Sequence, residues 1–126
     1  MNFKTSIVLA LIVGIAVGAS GVTVLKARSQ PRAYHIGEVD VFDREGYTKN
    51  FIPLADPVTR AGGGQFLVRG GNPTTMEGDA PKGRIVILEF KNMDKLKAWR
   101  ASMKDADAAR EKYARTRTYA VEGVAK

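Results

Sequence analysis

Residues 84–103 read Arg-Ile-Val-Ile-Leu-Glu-Phe-Lys-Asn-Met-Asp-Lys-Leu-Lys-Ala-Trp-Arg-Ala-Ser-Met. The first seven, Arg84 to Phe90, are dominated by Ile, Val and Leu, the composition of a buried strand. Asn92 then offers an N-cap, because its short side chain can accept from the free N–H groups of a first helical turn. Met93, Leu96, Trp99 and Met103 recur at helical spacing and form a core stripe. A strand running directly into a helix is the seed from which the remaining order is read.

Upstream, Gln65 to Arg69 is a short strand, and Gly70, Gly71, Asn72 and Pro73 make a turn that opens a long hairpin connection. Gly62 to Gly64 end a preceding helix that Asp43 can cap, with Tyr47, Phe51 and Leu54 on one side. Pro53 and Pro57 deny it a regular interior, so it is broken or its second part starts at Pro53. Tyr34 to Phe42 alternates and is the first strand. Downstream, the helix continues through Ala109 and Tyr113 with a break near Asp105, and Thr118 to Glu122 closes the chain as a strand. The order is β-α-β-β-α-β, the ferredoxin-like arrangement of the α+β class: a four-stranded antiparallel sheet with two helices on one face.

Side chains alternate across a strand, so the register assigns each residue to a face. One parity, Val39, Val41, Phe66, Val68, Val86, Leu88, Phe90, Tyr119 and Val121, is expected beneath the helices. The other, including Tyr34, Ile36, Glu38, Leu67, Arg69, Ile85, Ile87, Glu89, Ala120 and Glu122, is expected on a face that no helix of the chain covers. An open apolar face is most economically buried against a second copy, which predicts a homodimer enclosing a cavity between two sheets.

The first thirty residues read differently. Ile7 to Leu25 contain no charged side chain and follow Lys4, and Val17 to Ser20 supply small residues, the pattern of an export signal cleaved after Ala19 or, second, after Ala27. The apolar run also approaches the ~20 residues that cross a bilayer, so a retained single-pass anchor is the competing reading. Residues 1–30 are thus a signal or anchor with a short linker, residues 31–126 the folded domain, and the location exported, periplasmic or secreted, or membrane-anchored.

The net charge of +7 includes Lys4, Lys26 and Arg28, which leaves +4 on residues 31–126, and basic and acidic side chains intermingle from Lys104 to Arg117. Clustered cations with aromatic platforms are lacking, which argues against nucleic acid as a partner. No cysteine is present, excluding disulfides, thiol catalysis and zinc–thiolate sites. One histidine and scattered carboxylates give no metal-ligand spacing, and no cofactor is expected. Gly62–Gly64 and Gly70-Gly71 lack the strand, loop and helix order of a phosphate cradle and are read as turns.

Several stretches together resemble one family. Ala33-Tyr34, Asp43 with Glu45 and Tyr47, Gly63-Gly64 before Phe66-Leu67-Val68-Arg69-Gly70-Gly71, Glu77-Gly78, Glu89-Phe90, Trp99, Ser102 and Val121-Glu122-Gly123 are similar to the family called domain of unknown function 1330, within the dimeric α/β-barrel superfamily. The resemblance covers residues 33 to 124. It implies a ferredoxin-like subunit, a homodimer and no established activity. The chain departs from the family pattern after Ser102, where Met103, Lys104 and Asp105 replace Pro, Glu and Tyr. It departs again at Lys112, where arginine is usual, and at His35, where an apolar residue is usual.

By parity Glu38, Arg69, Glu89 and Glu122 share the open face and are the candidate catalytic cluster, with Tyr34 and Arg69 as candidate ligand-binding residues. Crowded carboxylates in a poorly hydrated cleft cannot all ionise, so one could act as general acid or base, and Arg69 could fix an anionic substrate. The competing reading is that Arg69 pairs with Glu89 or Glu122 at a subunit interface. His35 points toward the helices and is read as a satisfied, partly buried histidine. Two functions are therefore carried forward: a cofactor-independent enzyme acting on a small organic molecule in the dimer cavity, or a non-catalytic small-ligand-binding or stress-related module of the cell envelope.

Overall fold

The centre of the molecule is β1 (Ala33–Val41), which is hydrogen-bonded on both sides. On one side it pairs antiparallel with β3 (Arg84–Phe90), from Ala33 opposite Phe90 to Val39 opposite Arg84. On the other it pairs with β4 (Ala114–Glu122), from Ala33 opposite Glu122 to Val41 opposite Ala114. β2 (Gln65–Gly71) completes the sheet along β3, giving the order β2-β3-β1-β4. The computed structural model describes residues 30–125, within which Pro31–Val124 form one compact unit. The fold is the expected ferredoxin-like α+β arrangement.

The first helical segment opens at Asp43, whose carboxylate accepts from the Gly46 N–H at 3.0 Å. It proceeds as α1 (Arg44–Gly46), a π-helical turn (Tyr47–Phe51) and α2 (Ile52–Ala61). The N–H of Ile52 reaches back to the Tyr47 carbonyl, one residue further than in an α-helix. The break expected at Pro53 is therefore a change of pitch: α2 begins afresh just before Pro53, and a first helical turn tolerates a residue without an N–H. At the far end Gly63 takes φ +81°, a left-handed conformation open to glycine, and turns the chain into β2.

The second helical segment starts as read, with Asn92 Oδ1 accepting from Lys95 N at 2.9 Å. It comprises α3 (Met93–Ser102) and α4 (Lys104–Arg110), and the break falls at Met103, two residues before the expected one, with the Met103 side chain buried in the core. β4 then begins at Ala114, four residues earlier than expected, because the ladder to β1 continues down to Val41. The core lies between the helices and one sheet face: Phe51, Leu88, Phe90, Leu96, Trp99 and Met103 are its large members. Trp99 is its hub, packed at 5.0 Å from Phe90 between ring centroids and donating its indole N–H to Thr59 Oγ1 of α2 at 3.1 Å. Burying each such side chain contributes about 1.5–3 kcal/mol.

Two strands differ from the expected register. In β2, Phe66 lies opposite Leu88 but Val68 lies opposite Ile87 and Arg69 opposite Val86, so Leu67 is an extra residue in a bulge. The bulge puts Val68 on the open face and Arg69 on the helix-facing side. In β4, Tyr119 lies opposite Ile36 and Val121 opposite Tyr34, both on the open face, while Ala120 and Glu122 lie opposite His35 and Ala33 on the helix-facing side. Tyr119 and Val121, expected beneath the helices by parity, lie instead on an open face that is apolar as well, so hydrophobicity does not distinguish the two faces.

Among the described residues no helix is long and apolar enough to cross a membrane. The expected export or anchor segment, residues 7–25, lies outside the described residues.

Candidate functional site

The expected cluster does not converge. Glu38 sits on the open face directly across from Arg117, which donates two hydrogen bonds to it, at 2.6 and 3.1 Å. The carboxylate is buried and its charge is matched within the chain. Glu89 is on the same face, opposite Tyr34 and 3.7 Å from Arg32. Burial first, and a hydrogen bond with Glu89 second, raise the Tyr34 pKa above its ordinary value. Glu38 and Glu89 are separated by four residues along the ladder, about 13 Å. Arg69, displaced by the bulge, pairs with Asp56 at 2.7 Å and lies 4.1 Å over the Phe66 ring. Glu122 is exposed at the end of β4.

A different site lies on the helix-covered side of the sheet. A cavity of about 320 Å³ opens between β1, β4 and the two helical segments. Its origin is local. Gly37, in the middle of β1, contributes no side chain, and Thr116 and Thr118 on the adjacent strand are small, so the floor is missing the volume that Leu88 and Phe90 supply elsewhere. A Cβ built on Gly37 would meet Thr118, His35 and Val39 side chains at 3.6–3.8 Å, ordinary contact distances. Glycine is not required here by backbone strain. Inside a strand it marks a place where something approaches the backbone closely. The π turn contributes to the opposite wall, presenting Tyr47 and Phe51 one turn apart, with ring centroids 4.8 Å from each other.

His35 lines this cavity beside Gly37. Only 8% of its surface is exposed, and its ring meets the edge of Trp99 at 4.9 Å. It points toward the helices as expected, with its Nε2 on the cavity side, 3.8 Å from where a Cβ on Gly37 would stand. Burial chiefly, then the nearby Arg100 and Arg110 cations, lower its pKa to about 4, against a weaker opposing pull from Asp107. The ring is therefore neutral at physiological pH. Arg100 and Arg110 share the single Asp107 carboxylate, at 2.7 and 2.8 Å. Arg110 packs its guanidinium 5.9 Å from the Phe51 ring and leaves its Nε buried without a partner. Burial also raises the Tyr47 pKa, with Arg110 the main opposing influence. The arrangement is an apolar pocket with a neutral imidazole, a phenol and an excess of guanidinium at its wall.

None of these residues belongs to the cluster expected from the sequence. His35, Gly37, Tyr47, Arg100 and Arg110 come from four separate elements and form no linear motif. The available signal was a glycine in the interior of an otherwise regular strand, two positions from a histidine on the same face.

Fold and cavity together define a small ferredoxin-like α+β domain with an apolar, arginine-walled pocket. The chain belongs to the family described as Domain of unknown function (DUF1330), whose model matches residues 32–124. Among solved structures it is similar to RPA0582, a protein of unknown function from Rhodopseudomonas palustris, with a TM-score of 0.60 and 15% identity over 82% of this chain and 93% of that one. The methylated form of RPA0582 matches with a TM-score of 0.57 and 13% identity, over 81% and 90% of the two chains. At these identities the likeness concerns the fold. No curated protein matches the chain.

Proposed function

We propose that the domain binds a small organic molecule in the cavity between the sheet and the helices. The observation that carries this reading is the cavity beside Gly37, a floor residue without a side chain, bordered by the buried His35 imidazole and by Arg110, whose Nε–H is buried without a partner. Such a polar group costs stability where it stands, about 1–3 kcal/mol, unless another molecule satisfies it. Trp99 is the chain's single tryptophan and lines the site, so its fluorescence reports occupancy. Titrating the full chain with benzoate and with benzyl alcohol is expected to give a saturable change, and Gly37→Val, which fills the floor, is expected to remove it. No response to either probe, or a response untouched by Gly37→Val, would sink the reading.

A catalytic version is favoured by one feature, the neutral His35 imidazole facing the same cavity as the Tyr47 phenol. It would act as proton acceptor toward a bound molecule, without a cofactor. This places the chemistry on the helix-covered side, away from the cluster of Glu38, Arg69, Glu89 and Glu122 expected between two sheets.

The open face is proposed to pair with a second copy, as in a dimeric α/β barrel. Ile36, Ile85, Ile87, Val68, Tyr119 and Val121 make it apolar, and the buried Glu38 has its counter-charge in Arg117 of the same chain. Residues 7–25 are proposed to export the protein or anchor it to a membrane. The mass of the mature chain separates cleavage after Ala19 from retention.

A further inference from the structure

We infer that the occupant of this cavity is an organic anion, an apolar body with a carboxylate-type head seated against Arg100, Arg110 and His35. The inference rests on the cavity being a ligand site and adds the chemical class of the ligand. Charge at the wall is unbalanced. Two guanidiniums share one carboxylate, Asp107, so one positive charge is left without a counter-ion among the described residues. Arg110, whose side chain is 13% exposed, also keeps an unpartnered Nε–H. An anion between the two arginines would supply the missing charge and acceptor together.

The rest of the lining points the same way. Arg69 is neutralised by Asp56, but Arg44 and Arg84 at the rim have no acid partner among the described residues, and Asp56 is the only carboxylate in the lining. Arginine therefore dominates the approach to the pocket, which favours entry of an anion. The groups facing the head position from the surrounding elements are His35 on β1, Tyr47 from the π turn, Arg100 on α3 and Arg110 on α4, and each can donate a hydrogen bond. Behind them the surface is Phe51, Leu88, Trp99 and Met103, which gives an inorganic ion nothing to contact but suits an aromatic or aliphatic body.

The test compares three probes on the full chain by Trp99 fluorescence and thermal midpoint: benzoate, its neutral counterpart benzyl alcohol, and inorganic phosphate. Benzoate is expected to bind at least about tenfold more tightly than benzyl alcohol, a preference of the size that one charge-assisted hydrogen bond confers, and phosphate is expected not to compete. Arg110→Met should reduce the benzoate preference to near parity while benzyl alcohol still binds. Should Arg110→Met fail to fold, Arg100→Met tests the same wall. Equal affinity of wild type for benzoate and benzyl alcohol overturns the anion inference and leaves the cavity reading standing. Binding of neither overturns both. A preference that survives both arginine variants and disappears in Arg84→Met overturns the assigned seat, and competition by phosphate overturns the organic class.

Discussion

The two faces of the sheet are built from the same strands by opposite means. On the helix-covered face the large side chains, Phe90, Leu88 and Trp99 above them, are buried almost completely, yet the packing stops at Gly37 and leaves a void beside His35 and the unpartnered Nε of Arg110. On the open face no described residue covers Ile36, Ile87 or Tyr119, yet Glu38 is paired with Arg117 and Glu89 with Arg32. Burial and satisfaction thus run in opposite directions. The better-buried face carries Arg110 Nε, a buried polar atom without a partner among the described residues, and residues that disturb a well-packed interior without a structural return are where function is to be sought.

Substitutions can break this contrast, and the largest effect belongs to the covered face. Trp99→Ala should lower unfolding stability by about 3–5 kcal/mol, read by denaturant titration, because it deletes the hub of the core and enlarges an existing void. A loss below about 1 kcal/mol would mean the helices do not depend on it. Next comes pH. His35 stays neutral in the folded chain down to about pH 4, whereas the unfolded chain protonates it near 6.5. Between those values the unfolded state binds a proton that the folded state refuses, so stability falls as pH drops through that window, by about 2–3 kcal/mol in all. His35→Gln should flatten the difference between melts at pH 7 and pH 4.5. A fall of the same size in the variant would assign it to other groups.

Thr59→Val tests one link between the helical segments. It removes the acceptor of the Trp99 indole N–H at nearly constant shape and should cost about 1–2 kcal/mol. The smallest effect on folding is expected on the open face. Ile87→Glu should leave the single subunit within about 1 kcal/mol of the parent, since the site faces outward. Its consequence should appear instead in sedimentation, as a fall from dimer to monomer mass. A parent that already sediments as a monomer would remove the proposed pairing.

Much of the fold was legible because local signals agreed. Asp43 and Asn92 cap the helices they were expected to cap, β1 and β3 carry the expected faces, and the glycines at 62–64 end the first helical segment. The errors lie where a face cannot be read from polarity. Leu67 is an extra residue that no pattern announces, and it carries Arg69 across the sheet; β4 has apolar residues outward and threonines inward. Since the cluster of Glu38, Arg69, Glu89 and Glu122 depended on four registers at once, two changes were enough to disperse it. The cavity could not be read at all. It is defined by missing volume, and volume is shared among β1, β4 and both helical segments.

The π turn at Tyr47–Phe51 has a consequence for how the pocket can vary among related chains. A π turn holds one residue more than the α-helical path between the same ends. Removing a single residue there would restore ordinary pitch and swing every preceding side chain by about 100° around the axis. Tyr47 would leave the wall while α2 and Phe51 kept their places. Pocket chemistry on that side is thus set by chain length as much as by residue type, and a one-residue deletion between 47 and 51 would give a domain of the same fold with a differently furnished cavity.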